Sequence, residues 1–430
     1  MRTAIGVLTG VLPAAALAQD GIDSGSTAWI MTSSALVLFM SLPGLALFYG
    51  GLVRAKNVLS VLMQCFAIVC VVSILWFVCG YSLAFAPGNG FIGGLSKAFF
   101  AGVAEGSMSG AIPETAFAMF QLTFACITPA LIVGGFAERM RFSAMLLFSV
   151  LWLFVVYLPV CHWVWAADGW LYARGLIDFA GGTVVHITAG VAALVAALVL
   201  RPRTGFLQTP MMPHNLTMTV TGAGMLWVGW FGFNGGSALA ADNNAAMAIL
   251  CTHLSASAGA AMWGAIEWIR YGKPSALGVV TGMVAGLGTI TPASGVVGPG
   301  GALVIGLLAG FVCFNATHAL KHALKIDDSL DVFPVHGVGG MLGTLAAGVF
   351  AATSLGVFSG QGYAEGMGMG SQLGVQLLGI GAVAGWTAVC TWVLLKLVGV
   401  VSALRVSVEE ETAGLDTTQH NERGYDLQTL

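Results

Sequence analysis

The most informative shortage in this sequence is charge. Only 8% of its 430 residues are Asp, Glu, Lys or Arg, whereas 57% are hydrophobic, and the mean hydropathy is +0.88. Soluble domains carry roughly 25% charged residues, so this chain cannot cover a water-exposed surface of its size. The composition excludes an ordinary soluble globular protein and indicates a protein whose outer surface faces lipid.

Motifs of enzymes, of metal sites and of nucleic-acid binding are also missing. The chain has no G-x-S-x-G, H-E-x-x-H or P-loop pattern, and its basic residues form only short pairs such as Arg201 and Arg203. Its eight cysteines fall within apolar runs and include no CxxC pair. We therefore expect no enzymatic activity, no metal, no other cofactor and no nucleic-acid partner. Without an ATP site, any transport must run down an electrochemical gradient.

Apolar runs long enough for transmembrane helices recur along the chain. A spanning helix needs about 20 residues, and the strict alternation of a membrane barrel is absent. We predict an all-α membrane protein with eleven transmembrane helices, of which the eighth is short and rich in glycine. The predicted spans are about 28–52, 58–84, 115–137, 143–166, 178–200, 215–237, 243–269, 275–290, 300–323, 331–352 and 371–404.

The first residues have the pattern of a signal peptide. Arg2 precedes a short apolar stretch that ends in Ala16-Leu17-Ala18, and this stretch is too short to span a membrane. We predict a signal peptide at 1–18, a transmembrane domain at 19–404 and a cytoplasmic tail at 405–430. An additional membrane helix is the competing interpretation of the first segment.

Lysine and arginine predict the orientation, because cytoplasmic loops are enriched in both. With the N-terminus outside, the opposite set of loops holds only Lys97 and Arg174. The predicted cytoplasmic set holds Arg54, Lys56, Arg139, Arg141, Arg201, Arg203, Arg270, Lys273, Lys321, Lys325, Lys396, Arg405 and Arg423. We therefore predict an outside N-terminus and a cytoplasmic C-terminus, since an error of one span would break this alternation.

A weak internal similarity relates the two halves of the chain. The motif at 48–51 matches the motif at 233–236, and the stretch from Asp178 to His186 matches the stretch from Asp331 to His336. Each pair lies five spans apart, so its members run in opposite directions. The pattern predicts a five-plus-five inverted pseudo-repeat with a substrate path near the midplane. A chance match is the alternative in a chain with 60 glycines.

Two histidines are the strongest candidates for chemistry. His186 and His336 each lie several residues into an uncharged span, where polar side chains are costly and are functional candidates by default. A neutral imidazole offers one donor and one acceptor, and it exchanges a proton near neutral pH. One such histidine alone would suggest a structural hydrogen bond, but two at matching positions favour a pore.

Two aspartates and several aromatic residues are weaker candidates. Asp178 either attracts a cation or caps its helix, and Asp331 is predicted to be a cap. Trp165 is either an interfacial belt residue or a face that binds a small cation. The remaining candidates are Phe120, Phe124 and Phe233, for which packing is the default role, and Ser237, whose hydroxyl can accept a hydrogen bond from an N–H cation.

Together these residues resemble the ammonium transporter (Amt) family from about Thr27 through the C-terminal tail. The motifs that carry the resemblance are Leu47 to Arg54 with Lys56-Asn57, Phe124 to Thr128, Glu138-Arg139, Asp178 to His186, Trp230 to Asn234 and Asp331 to Gly337. The resemblance implies a homotrimer in the cell inner membrane, with one pore in each subunit. It also implies that the tail couples subunits and contacts a PII-type signalling protein. A merely solubilising acidic tail is the alternative.

The resemblance also implies roles for the candidate residues. Phe124, Trp165 and Ser237 would recruit NH4+ on the outer side, with Asp178 as structural support. The gate would consist of Phe120, Phe124 and Phe233. His186 and His336 would line the pore with their rings hydrogen-bonded to each other.

The expected function is an ammonium channel or transporter in which NH4+ is recruited, loses its proton and crosses an apolar pore as NH3. One alternative is an ammonium sensor that signals through a cytoplasmic partner. The other is a Rhesus-like NH3/CO2 channel, which Trp165 and Ser237 disfavour because the Rhesus-type channels keep both less consistently.

Overall fold

Long apolar helices make up most of the structure. The computed structural model describes residues 21–425, so the predicted signal peptide lies outside the described residues. Within that range ten helices are long and apolar enough to cross a membrane, and an additional apolar helix has 15 residues. In chain order these are α1 (Ser24–Leu52), α2 (Ala55–Phe85), α3 (Glu114–Phe136), α4 (Phe142–Trp165), α5 (Gly182–Leu200), α6 (Leu216–Gly236), α7 (Asn243–Tyr271), α8 (Ala276–Ile290), α9 (Pro299–Ala323), α10 (Phe333–Phe350) and α11 (Met369–Val401). The predicted all-α membrane class is confirmed.

These helices overlap the predicted apolar runs, since in lipid every backbone N–H and C=O must be bonded within its own segment. Ten of them are long enough to span, and the prediction of eleven spans stays a prediction. The eighth prediction corresponds to α8, which is shorter than the other ten. The strands of the described chain are two short hairpins between α2 and α3. They consist of β1 (Gly88–Asn89) with β2 (Ile92–Gly93), and β3 (Met108–Ser109) with β4 (Ile112–Pro113).

Glycine decides how closely several helices pack. A Cβ atom added to Gly222 of α6 would overlap the backbone of Phe48 in α1. One added to Gly259 of α7 would overlap the backbone of α8 at Gly282 and lie 3.1 Å from Gly286. Close backbone approach replaces the hydrophobic driving force that helices lack in lipid, so these glycines bring the helix axes together.

Loops of the predicted cytoplasmic set converge at one end of the bundle. Glu138, after α3, forms ion pairs with Arg54 at 2.9 Å and with Arg203 at 2.5 Å. Arg203 also pairs with Asp327 at 2.8 Å, which adds the segment between α9 and α10. Burial alone would raise the pKa of Glu138, but Arg203 and Arg54 outweigh it and lower that pKa to about 2. The cluster is therefore charged and internally neutralised at physiological pH.

The tail packs on this same cluster. It forms two short helices, α12 (Val408–Ala413) and α13 (Leu415–His420). Glu411 pairs with Arg405 at 2.7 Å and accepts the N–H of Thr204 at 2.8 Å. Asp416 accepts the N–H of Ser60, near the start of α2, at 2.8 Å. Both carboxylates are almost fully buried, so the tail does more than supply charge to solvent. The boundary between 404 and 405 stays a prediction.

We expect Arg203→Gln to destabilise the fold by about 3–5 kcal/mol, because it leaves two buried carboxylates without their shared cation. The measurement is the thermal unfolding temperature of the purified protein in detergent. Arg201→Gln is the matched control, since Arg201 lies two residues earlier in the same loop and is exposed; it should unfold at the wild-type temperature. Equal unfolding temperatures for both variants would contradict the assignment.

Candidate functional site

A cavity of about 120 Å³ opens at the end of the bundle opposite the basic loops. It is lined by Phe85, Phe117, Gln121, Phe124, Trp165, Phe179, Ser237 and Leu239. All three residues of the predicted recruitment site are among them, although they come from α3, α4 and the end of α6. None of these lining residues carries a charge, so a bound cation would face aromatic rings, an amide and a hydroxyl.

Hydrogen bonds orient the polar groups of this cavity. The indole N–H of Trp165 donates to the main-chain carbonyl of Asp178 at 3.0 Å, and the Trp165 ring packs edge-on against Phe124 with centroids 5.6 Å apart. The Ser237 hydroxyl donates to the carbonyl of Phe233 at 2.8 Å. Its proton is thus committed to the helix, and its oxygen lone pairs are left to accept from a ligand.

Asp178 is a helix cap. Its carboxylate accepts the backbone N–H groups of Gly181 and Gly182 at 2.9 and 2.5 Å and that of Thr183 at 2.7 Å, and it also binds the Thr183 hydroxyl. These groups lie at the start of α5, where unpaired N–H groups attract an anion. Asp178 does not line the outer cavity. Its contact with the cavity runs through its carbonyl group, which holds Trp165.

Phenylalanine rings close the floor of the outer cavity. The Phe124 and Phe233 rings have centroids 4.3 Å apart, and Phe120 packs against Phe124 at 5.0 Å. All three are almost completely buried. Phe124 lines the outer cavity, whereas Phe233 lines the next cavity inward. The ring pair therefore separates the two spaces.

The next cavity holds both histidines and has a volume of only about 10 Å³, the room for about one water molecule. The Nδ1 atoms of His186 and His336 lie 3.2 Å apart. One Nδ1 must donate and the other accept, so the two rings carry complementary tautomers. The other lining residues are all apolar or aromatic, and they are Met40, Leu45, Phe48, Ile127, Leu131, Val185, Leu226, Trp230, Phe233 and Val284.

Local backbone geometry places the two histidines. His186 lies in the π-helical turn Gly182–Ile187 and His336 lies in the π-helical turn Phe333–Gly337; such turns are frequent at functional sites. A Cβ atom added to Gly190 of α5 would overlap the backbone of Gly337. The two helices therefore touch next to the histidine pair only because glycine occupies that position.

A third cavity, of about 260 Å³, lies on the side of the basic loops and includes His336 in its wall. Asp331 also lines it and pairs with Lys321 at 2.7 Å. The prediction that Asp331 caps α10 is wrong. Asp328 caps instead, because its carboxylate accepts the N–H of Phe333 at 2.6 Å. Asp331 has a positive φ of 61°, and its carboxylate pairs with Lys321 instead of the N–H groups at the helix start.

The separation between aspartate and histidine in the sequence could have identified Asp328 as the cap. It precedes His336 by the same eight positions that separate Asp178 from His186, whereas the similarity used above paired Asp178 with Asp331. Burial and the charge of Asp331 raise the pKa of Asp328 to about 7, against the opposing N–H of Phe333 and the charge of Lys321. Near neutral pH this carboxyl is therefore partly protonated.

The sequence profile of the Ammonium Transporter Family matches residues 28–425. The chain belongs to this family. An ammonium transporter of Bacillus subtilis (strain 168) is 48% identical over 406 residues, which cover 94% of this chain and 99% of that protein. The crystal structure of Saccharomyces cerevisiae Mep2 superimposes with a TM-score of 0.83 at 40% identity, over 91% of this chain and 89% of that one.

A solved structure named Sensor Amt Protein is similar as well, with a TM-score of 0.85 at 30% identity over 92% of this chain and 98% of that one. The family consists of transporters rather than enzymes, as the missing catalytic motifs indicated.

One contact of His186 in this member of the ammonium transporter family was not predicted from the sequence. The His186 ring stacks on Trp230 with centroids 5.6 Å apart and planes 18° apart. The Trp230 N–H donates to Thr291 at 2.9 Å, which fixes the indole in place. Trp230 lies within one of the motifs quoted above, but nothing in its local sequence indicated that it faces a residue of α5.

We expect Gly190→Ala to destabilise the fold by roughly 1–3 kcal/mol, because the new methyl group pushes α5 away from Gly337. Thermal unfolding in detergent measures this effect. Gly224→Ala is the control, since a Cβ atom at this α6 position meets open space, and alanine is the better helix former. If Gly190→Ala unfolds at the same temperature as Gly224→Ala, the close approach is not required.

Proposed function

We propose that this protein moves ammonium across the membrane, down its electrochemical gradient. NH4+ would bind in the outer cavity among Phe124, Trp165 and Ser237, lose its proton, and pass the histidine cavity as NH3. The observation that carries this proposal is the hydrogen-bonded pair of His186 and His336 in an uncharged cavity the size of one water molecule. Membership of the Ammonium Transporter Family supports it.

The outer cavity suits an N–H cation. The Trp165 and Phe124 rings present negative faces, and such contacts contribute about 0.5–2 kcal/mol, with the larger values in desolvated sites. The Ser237 oxygen has lone pairs to accept a hydrogen bond from the ligand. K+ has a similar charge but no N–H, so it would gain the aromatic contribution without the hydrogen bond. Selection of ammonium over K+ would therefore begin in the outer cavity.

The histidine cavity would complete the selection. It has no charged group in its wall, and a permanent charge is costly in so apolar a space. Ammonium can become neutral by releasing a proton, whereas K+ cannot. Within residues 21–425 the Nε2 atom of His186 has no hydrogen-bond partner. This nitrogen is available to a passing NH3, and the complementary tautomers would allow a proton to be relayed between the rings.

The contacts around the outer cavity also support the proposed roles of the phenylalanine gate and of Asp178. Phe120, Phe124 and Phe233 would have to move for a molecule to pass, because their rings separate the outer and histidine cavities. Asp178 would support the recruitment site by holding Trp165 through its carbonyl group. The Rhesus-like alternative remains less favoured, since Trp165 and Ser237 both line the outer cavity.

We also propose eleven transmembrane helices in an inverted five-plus-five arrangement. In support, α5 ends next to the basic loop cluster at Arg203, whereas α10 begins next to it at Asp328, so the two histidine helices run in opposite directions. The basic loops would face the cytoplasm, with the N-terminus outside and the signal peptide 1–18 removed. Domain 19–404 would then lie in the cell inner membrane, and tail 405–430 in the cytoplasm.

The proposed assembly is a homotrimer with a PII-type signalling protein as cytoplasmic partner. The resemblance to the ammonium transporter family suggests both. The packing of Glu411 and Asp416 on the loops is consistent with a tail that transmits a partner's binding to the helices.

Currents in reconstituted membranes would test the histidine mechanism. We expect the wild-type protein to respond to ammonium pulses and not to K+. Replacing both His186 and His336 by alanine should reduce discrimination against K+, because the site that favours a neutral species is lost. His253→Ala is the control, since this exposed histidine packs on Trp227 outside the three cavities. Unchanged discrimination in the double variant would reject the proposed deprotonation step.

An ammonium sensor is the second candidate, favoured by the similarity to the Sensor Amt Protein structure. Uptake of methylammonium, measured in a strain that lacks its own ammonium transporter, distinguishes a transporter from a sensor. Uptake above the vector control supports transport. Binding of methylammonium to the purified protein without uptake would favour the sensor.

A further inference from the structure

His162 is a buried histidine that the proposed transport path does not use. It lies in the last turn of α4, and its side chain is fully buried. Its Nδ1 atom lies 2.9 Å from the main-chain carbonyl oxygen of Ala84, and its Nε2 atom lies 2.7 Å from that of Asn89. Each ring nitrogen therefore faces an oxygen that can only accept a hydrogen bond.

These two contacts bear on the protonation state of the His162 ring. A neutral imidazole has one N–H group and one bare nitrogen, so it would leave a lone pair facing a carbonyl oxygen. A buried polar group that lacks its hydrogen bond is costly. An imidazolium has two N–H groups and can donate to both carbonyls. The contacts therefore favour a doubly protonated His162.

Two neighbouring groups would stabilise a positive charge at this position. The Asp168 carboxylate lies 3.5 Å from the Nε2 atom and is the one carboxylate that pairs with this ring in the described part of the chain. Ala84 lies in the last turn of α2, where carbonyl groups without a partner in the helix form the negative end of its dipole. Cations are stabilised at that end of a helix.

Other titratable groups also lie on the elements packed against this end of α4. They are Tyr81, Tyr157, Cys161, Tyr172, Arg174, Asp178 and His186. Asp178 is bound by N–H groups at the start of α5, and Arg174 donates to the carbonyl of Trp170 at 3.1 Å. Among the described residues none of these groups hydrogen-bonds to the His162 ring, so Asp168 is its counter-charge.

His162 connects two walls of the outer cavity. Through Ala84 it binds the end of α2, and the next residue, Phe85, lines that cavity. His162 itself lies three residues before Trp165, which lines the cavity from α4. Through Asn89 the same ring also binds the β1–β2 hairpin. One side chain thus fixes the ends of α2 and α4 relative to each other.

The hairpin has further bonds to the same part of the chain. The Phe91 carbonyl accepts the indole N–H of Trp163 at 2.8 Å, and the N–H of Gly88 donates to the Asp168 carboxylate at 3.0 Å. Asp168 therefore binds both the histidine ring and the hairpin that this ring holds. Its loss would affect the two contacts together.

We propose that His162 is an imidazolium paired with Asp168, and that this ion pair positions Phe85 and Trp165 around the outer cavity. His162 is a positioning residue, because it lines neither the outer nor the histidine cavity. The charge of Asp168 offsets that of the ring, which limits repulsion of a cation in the outer cavity. The positioning role rests on the proposed function, whereas the charge of His162 does not.

Solid-state NMR of the full-length protein in lipid bilayers, with nitrogen-15 in its histidines, would test the charge. We expect one histidine with two protonated ring nitrogens near pH 8, where an exposed histidine is neutral. Its signal should be absent from the spectrum of His162→Gln. If every histidine is neutral near pH 8, or if the signal persists in His162→Gln, the proposed imidazolium is rejected.

Asp168→Asn tests the counter-charge without replacing the histidine. The asparagine side-chain oxygen can still accept the N–H of Gly88, but the negative charge is lost. We expect a smaller doubly protonated fraction near pH 8 than in the wild-type protein. Glu105→Gln is the matched control, since Glu105 is an exposed carboxylate in the loop between α2 and α3. Equal fractions in Asp168→Asn and Glu105→Gln would overturn the ion pair.

Uptake of methylammonium by the same variants tests the positioning role. In Asp168→Asn the half-saturating concentration should rise about threefold at an unchanged maximal rate, because a displaced Trp165 loses part of its cation–π contact. Glu105→Gln should match the wild-type protein. An unchanged half-saturating concentration in Asp168→Asn would refute the positioning role. Absence of uptake by the wild-type protein would reject the proposed function and that role with it, whereas the NMR spectra would still decide the charge of His162.

Discussion

The cost of placing a charge in a lipid-like environment is the constraint on which this structure depends. The ionised groups lie near the ends of the bundle, where Glu138, Arg203 and Asp327 neutralise one another. Asp178 is buried, but it is bound by N–H groups at the start of α5. Between these ends the proposed path runs through two cavities without an acidic residue, or a basic residue other than histidine, in their walls. A neutral histidine pair is therefore the polar feature that such a path can hold at low cost.

Close helix packing is what turns two separate histidines into a pair. They lie 150 positions apart in the chain, and their contact depends on Gly190 of α5, where a Cβ atom would overlap the backbone of Gly337 in α10. The stacked Trp230 adds a third helix to the same site. Small residues in membrane helices permit such approach. The residues that allow the helices to pack therefore also bring the histidine pair together.

The basic end of the bundle combines two uses of positive charge. Most cations there are paired and join the loops to the tail, as Arg405 does through Glu411. Arg201 and Lys396 lie instead on the outer surface between α5 and α11, and among the described residues neither pairs with a carboxylate. Arg405 also donates to the carbonyl of Leu200 at the end of α5, so the tail, the loops and this helix end share one anchor.

Hydropathy and motif order determined the helices, the family and the candidate residues, because each depends on short stretches of sequence and on the period of a helix. The tertiary structure decided which of those residues meet. It showed Asp178 to be a cap rather than a residue of the outer cavity, replaced Asp331 by Asp328 as the cap of α10, and placed Trp230 against His186. The two caps are local contacts, and spacing could have identified the second. The contact of Trp230 with His186 joins helices that are separate in the chain. Its geometry depends on how glycine allows the helices to approach, which no local pattern encodes.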